Sequence, residues 1–203
     1  MADEADEADE ADERLIARIV DGDRDAFAIL YRRYRPDVYR FAVHFCGSSE
    51  PAEDIVQDVF VAVIHSAARY RPERSGVLPW LLGIARNLAR RVHARTVTFP
   101  LPADDATSGC ELAIDTDPLA GIARARQTRA VRLALGELPN RYREAIILCD
   151  LHGLTYLEAA TALGCAVGTV RSRLHRGRAL LARALSDSSH VMTARIPATR
   201  VVL

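Results

Sequence analysis

Apolar residues recur along most of this chain every three or four positions and hardly anywhere at every second one, which is the period of an α-helix and not of a strand. The clearest case is PAEDIVQDVFVAVIHSA. Ala52, Ile55, Val56, Val59, Phe60 and Val63 fall on one face, while Glu53, Asp54, Gln57 and Asp58 fall on the opposite one. Upstream, Leu15, Ile16 and Ile19 open a helix from Glu13, Gly22 interrupts it, and Phe27, Leu30, Tyr31 and Tyr34 resume it. Pro36 reads as the first turn of a further helix whose inner face is Val38, Phe41, Ala42 and Phe45. After the loop RYRPERSG, the stretch PWLLGIARNLARRVHAR predicts a helix with Pro79 in its first turn. Leu81, Ile84, Leu88 and Val92 would point inward, and Arg86, Asn87, Arg90 and Arg91 outward.

The pattern then fails. Residues 97–121 hold three prolines, five acids and no base, which reads as a flexible linker. Helical spacing returns over 122–136 and 139–152, and Gly153 ends the second of these segments. In TYLEAATALG the inner positions are Tyr156, Ala159, Ala160 and Leu163, and Gly164 is placed to turn the chain. The adjoining stretch GCAVGTVRSRLHRGRALL sets Val167, Val170, Leu174 and Leu181 on one stripe. Thr169, Arg171, Ser172, His175, Arg176 and Arg178 lie opposite, with no acid in the segment. Two short helices joined at a glycine, the second basic outside, make a helix-turn-helix fit for the DNA major groove. The expected fold is all-α, in two helical domains (14–96 and 122–186) joined by the linker. An acidic disordered arm (1–13) would precede them and a short tail (187–203) would follow.

Charge sharpens this picture. The 203 residues carry no net charge, yet residues 1–13 hold eight acids and no base, leaving 19 acids against 27 bases in the rest. Every base is arginine, whose planar fork grips phosphates and base edges. The arm ADEADEADEADE could therefore compete loosely with DNA for the arginine faces. Hydrophobic residues make up 49%, enough for packed cores. No apolar run approaches the roughly 20 residues that span a bilayer, and the acidic N-terminus is unlike a secretory signal, so no membrane insertion and a cytoplasmic location are expected. Cys46, Cys110, Cys149 and Cys165 are scattered without a C-x-x-C pair, and the histidines have no ligand spacing, so neither a metal nor a cofactor is expected. No nucleophile motif or phosphate-binding glycine loop suggests an enzyme.

The string LPNRYREAIILCDLHGLTYLEAATALGCAVGTVRSRLHRGRALL resembles the fourth-region domain of extracytoplasmic-function sigma factors of the sigma-70 family. PAEDIVQDVF, then a loop, then PWLLGIARNLARR, is similar to that family's second-region domain. The resemblance implies a factor that binds RNA polymerase core enzyme and directs it to promoter DNA. On it, Thr169, Arg171, Ser172, His175, Arg176 and Arg178 would read the −35 element. Arg71 and Arg74 in the loop, with Arg86, Asn87, Arg90 and Arg91, would open and read the −10 element. Asp54, Gln57 and Asp58 would meet the polymerase core. An anti-sigma factor is the further partner implied. Val77, Leu78 and Leu157 depart from the family pattern. The competing reading is a free-standing helix-turn-helix regulator bound to an operator, but 14–96 offers an acid-faced helix beside a basic one instead of a dimerisation unit.

Overall fold

A computed structural model describes the backbone of residues 11–98 and 118–193 and the side chains of 11–94 and 127–187. Among the described residues the long elements are helices: α1 (Asp12–Val20), α2 (Arg24–Cys46), α3 (Glu50–Ser66), α4 (Val77–Thr98), α5 (Pro118–Glu137), α6 (Asn140–Ile146), α7 (Tyr156–Leu163) and α8 (Val167–Thr193). The stretch read as a linker thus keeps helix at both ends. Its middle lies outside the described residues, as do residues 1–10 of the acidic arm and 194–203 of the tail. Asp12 and Glu13, read with the arm, instead begin α1. Asp12 pairs with Arg33 at 2.5 Å and accepts the Tyr34 hydroxyl hydrogen. Burial first, and then that bond, push the Tyr34 hydroxyl pKa up.

Local chemistry sets the helix ends. Gly22 takes a φ of +87° between α1 and α2, a conformation costly for residues with a Cβ. The Asp23 carboxylate caps α2 by accepting from the backbone N–H groups of Asp25 at 2.9 Å and Ala26 at 3.2 Å. The bond from Ala26, and next the Arg18 guanidinium, hold that carboxyl below its ordinary range. Pro36 does not begin a new helix: it sits inside α2, which runs unbroken for 23 residues. Pro36 and Arg32, one turn before it, are both exposed, so the helical bond that the missing N–H of proline forgoes falls at the surface, where it costs least.

In the first half α2 packs on α3 and α4, and α1 lies across α2 and the 3₁₀ turn Ala67–Arg69. All six apolar positions on the inner face of α3 are buried, and Phe60 meets Phe27 and Tyr31 edge to face, with Tyr31 and Phe60 centroids 4.7 Å apart. In α4 the buried stripe is Leu81, Leu82, Ala85 and Ala89, whereas Ile84, Leu88 and Val92 are half-buried. The predicted stripe is rotated because α4 buries two faces, one on α2 and α3 and the other on α7.

In the second half α6 runs into a π-helical turn (Ile147–Leu151), and both α6 and α7 pack on α8. Thr155 opens α7 with a capping box: its hydroxyl accepts from the Glu158 N–H at 3.3 Å, and the Glu158 carboxylate takes the Thr155 N–H at 2.8 Å. Ala159, Ala160 and Leu163 are buried, but Tyr156, placed inward by its spacing, is 39% exposed, because a first-turn residue overhangs the helix end. The buried residues of the two halves form one continuous core. Arg143, only 3% exposed, joins them by donating to Phe45 O on α2 at 2.8 Å as well as to Leu135 O, Gly136 O and Leu138 O.

Candidate nucleic-acid interface

The helix-turn-helix is built as its spacing predicts. Gly164 closes α7 with a φ of +63°, and Val170 and Leu174 anchor α8 in the core. Gly177 permits the close approach of α8 to α6, since a Cβ there would lie 3.0 Å from Ile146 Cδ1. This leaves Arg171, Ser172, His175, Arg176 and Arg178 exposed, with Thr169 half-buried. Their commitments differ. The Arg178 guanidinium makes two bonds to the Asp150 carboxylate, at 2.9 and 2.5 Å, and these bonds raise its pKa. Hydrogen bonds from Arg176 and then Arg141 hold the Tyr142 hydroxyl below its ordinary value. Arg171 lies 5.9 Å from the Tyr156 ring centroid. Ser172 bonds back to Thr169 O at 3.0 Å.

A second basic surface gathers on the loop before α4. Arg71 and Arg74 are exposed as expected, and Arg69, which no feature of its local sequence singles out, stands with them. The loop is pinned by the Tyr70 hydroxyl donating to Ser75 O at 2.9 Å and by Tyr70 packing on Trp80 with centroids 5.1 Å apart. These residues line a cleft of about 420 Å³ with Gly83, Ile84, Arg86 and Asn87, and Thr161, Ala162 and Gly164 of the second half form its far wall. Asn87 and Arg91 face solvent. Arg86 and Arg90 do not point freely outward. Both bind Glu144 of α6, which is fully buried: Arg86 Nε at 3.0 Å, Arg90 through Nε and also through Nη2 at 3.2 Å. The spacing of α4 marks them as non-core positions correctly, but nothing local to α4 reveals a partner 54 or 58 residues away.

The acid face of α3 carries Asp54, Gln57 and Asp58 in the open. Of these, Gln57 also lines a groove of about 490 Å³ between α2 and α3, whose walls are Phe27, Tyr31, Tyr39, Phe60, Val61 and Ile64 with the charged Glu53 and Arg35 among them. Val61 is 46% and Ile64 56% exposed. These apolar groups fall outside the core stripe of α3, and that misfit was their signal in the sequence. Burial pushes the thiols of Cys46 and Cys149 up to about 11, so both stay protonated at neutral pH. No described helix is long and apolar enough to cross a membrane.

Residues 30–97 match the family described as Sigma-70 region 2, and residues 128–181 match Sigma-70, region 4. The chain is 34% identical to RNA polymerase sigma factor CarQ of Myxococcus xanthus, over 84% of this chain and 95% of that one. It is 36% identical to ECF RNA polymerase sigma factor SigM of Mycobacterium tuberculosis, over 84% and 83%. With ECF RNA polymerase sigma factor SigE of Mycolicibacterium smegmatis it shares 36% identity over 79% of this chain and 62% of that longer one. Among solved structures, CnrH in complex with the cytosolic domain of CnrY superposes with a TM-score of 0.66 at 28% identity, covering 88% of this chain and 99% of that one. The sigma factor RpoE of Bartonella quintana, in complex with the anti-sigma factor NepR, gives 0.58 at 26% identity, covering 74% and 91%.

Proposed function

Because the chain belongs to the extracytoplasmic-function group of the sigma-70 family, and so is an alternative sigma factor that directs transcription, we propose that its exposed faces divide promoter recognition. The observation that carries this reading is the basic face of α8, raised on a capped helix and a left-handed glycine turn. The N-terminal residues of a recognition helix reach base edges, so Thr169, Arg171, Ser172 and His175 read the −35 element. Arg176 and Arg178, farther along and already oriented by Tyr142 and Asp150, meet phosphates. Arg69, Arg71 and Arg74 at the cleft, with Arg86, Asn87, Arg90 and Arg91, track the opened −10 strand, which needs cations along a backbone and a pocket for an unstacked base.

Asp54, Gln57 and Asp58 dock on polymerase core, and Val61 and Ile64 extend that contact into the apolar groove. The groove suits an amphipathic helical segment: apolar side chains fill it, and Glu53 and Arg35 in its walls, with Asp54 and Asp58 on the adjoining face of α3, set orientation. An anti-sigma factor competes for the same groove, as the complexes of CnrH and RpoE with their partners suggest. Acting on the polymerase, the protein works in the cytoplasm.

Transcription in vitro with purified core enzyme and promoters varied in the −35 element tests this reading. Arg171→Ala should cost ~1–3 kcal/mol of discrimination between −35 sequences if it contacts a base in two-pronged fashion, whereas Arg176→Ala should weaken all promoters alike. Asp58→Arg should lower affinity for core by ~1–3 kcal/mol, because charge reversal at an exposed interface site replaces attraction by repulsion. Wild-type behaviour of all three would overturn the assignment.

A further inference from the structure

Where α6 crosses α8, two guanidinium groups converge on a neutral oxygen. Arg141 of α6 and Arg176 of α8 are both exposed, and Tyr142 between them is 8% exposed. Gly177 brings the helices together at this point, since a Cβ there would lie 3.3 Å from Tyr142 Cβ. The Arg141 Cζ stands 4.7 Å from the Tyr142 ring centroid, and Arg141 and Arg176 both donate to the Tyr142 hydroxyl. Sharing one acceptor places their donor nitrogens within roughly 6 Å of each other, twice the length of a hydrogen bond. Elsewhere gathered arginines answer a carboxylate, as Arg178 answers Asp150 and as Arg86 and Arg90 answer Glu144. Among the described residues no carboxylate pairs with Arg141 or Arg176. Like charges held so close repel, and a phenol does not offset that repulsion; an anion would.

From this geometry we propose that Arg141, Tyr142 and Arg176 form a clamp for a single backbone phosphate beside the −35 element, which makes Arg141 a DNA contact outside the recognition helix. This rests on the reading that α8 meets promoter DNA. The anion is a DNA phosphate because Arg176 belongs to the same exposed face of α8 as Arg171, Ser172 and His175, and a duplex laid on that face presents its backbone at the edge of the groove. The chemistry of the three groups fits. A guanidinium that spends one N–H on the phenol keeps others for a phosphate oxygen, in the two-pronged manner such pairs favour. The phenol oxygen accepts from both arginines and still has its own hydrogen to donate. Tyr142 is thus a positioning residue as well as a third donor: it orients both forks before DNA arrives, so less side-chain freedom is lost on binding. Such a contact carries no sequence information; it fixes the register of α8 in the groove.

Salt dependence tells one shared phosphate from two separate ones. Fluorescence anisotropy measures binding of the full chain to a labelled duplex of random sequence across a salt series, because backbone contacts do not depend on sequence. Arg141→Ala and Arg176→Ala should each weaken binding. The double variant should lose less than the product of the two single losses, since the pair serves one partner. With one phosphate contact gone, its slope of log affinity against log salt should be shallower by ~0.9. Tyr142→Phe keeps both charges and the ring, so it should lower affinity at fixed salt and leave the slope unchanged. A slope shallower by ~1.8, with losses that multiply, would give each arginine its own phosphate and overturn the clamp. Wild-type affinity of Tyr142→Phe would overturn it too, by removing the shared hydroxyl from DNA binding. An unchanged slope in the double variant would also overturn it, and Arg171→Ala then separates the two failures. Weakened binding by Arg171→Ala would leave α8 as the DNA-reading helix, whereas wild-type binding would end that reading as well.

Discussion

Arg143 and Glu144 are neighbours in the sequence, both buried, and they do opposite things. Glu144 is gripped from the other half of the molecule, by Arg86 and Arg90. Arg143 is a structural rivet: its guanidinium gathers the carbonyls of Leu135, Gly136 and Leu138 at the end of α5 and that of Phe45 near the end of α2. Helix C-termini leave such carbonyls unpaired and carry partial negative charge, so a fork-shaped cation suits the junction. Arg143→Ala would take this donor from the buried carbonyls of Phe45 and Leu138, and Leu135 O would keep only its backbone bond from Leu138 N–H, so the change should destabilise the protein by ~2–4 kcal/mol, read from the midpoint of urea unfolding. Arg143→Lys should rescue little, because an ammonium cannot span that arrangement; full rescue would reduce Arg143 to a mere positive charge. Neither role was legible in LPNRYREAI, because nothing in that string marks either charge as buried. Burial of a charge depends on what the fold brings over it, and here that is contributed by α2, α4 and α5.

At the scale of the element the sequence was far more explicit. The turns at Gly22, Gly153 and Gly164 all take positive φ, and α3 buries the whole stripe its spacing names. These are local matters of backbone freedom and side-chain period. Thr155 illustrates how separable they are: its hydroxyl and the Glu158 carboxylate satisfy donors at the start of α7, an eight-residue helix with little else to fix its end. Thr155→Ala should cost ~1 kcal/mol and lower the thermal midpoint by ~2–5 °C, with the same loss expected for Thr155→Val. A midpoint unchanged by either substitution would mean that packing on α8 alone sets the end of α7. Where element reading failed, competition with tertiary structure explains it. Pro36 stays inside α2 because the lost bond is at the surface, and α4 turns a second face inward because another helix covers it.

The whole molecule adds a dependence on pH that no element has alone. His44 of α2 and His152 after the π turn both lie where the two halves meet. Burial first, then Arg132 and Arg40, hold His44 down to about 4; burial first, then Arg40 and His44, hold His152 down to about 3. Asp37 faces His152 at 3.7 Å but is already paired with Arg40 at 2.5 Å, which limits its pull on the ring. In an open molecule both rings would return toward 6.5. The open form therefore binds more protons than the closed form below that pH, and closure weakens as pH falls from 6.5 toward 4. At pH 5.5 the two rings together should favour opening by ~3 kcal/mol relative to pH 7.5. Scattering should show expansion between those two conditions, and His152→Gln should reduce the change. Equal dimensions at both pH values would dissociate these rings from closure.

Helical class, the positions of the turns, the exposed basic stripe of α8 and the acid-faced stripe of α3 were determined by the sequence itself, because each rests on residues close together along one segment. Family resemblance was equally legible, being carried by contiguous strings. The fates of Arg86 and Arg90, the burial of Glu144, the rivet at Arg143 and the neutral histidines were decided by tertiary structure. Each joins residues from different helices, and a guanidinium facing solvent is indistinguishable in sequence from one facing a carboxylate 58 residues away. The difference is desolvation, and what excludes water from a side chain is set by the packing of all the helices together.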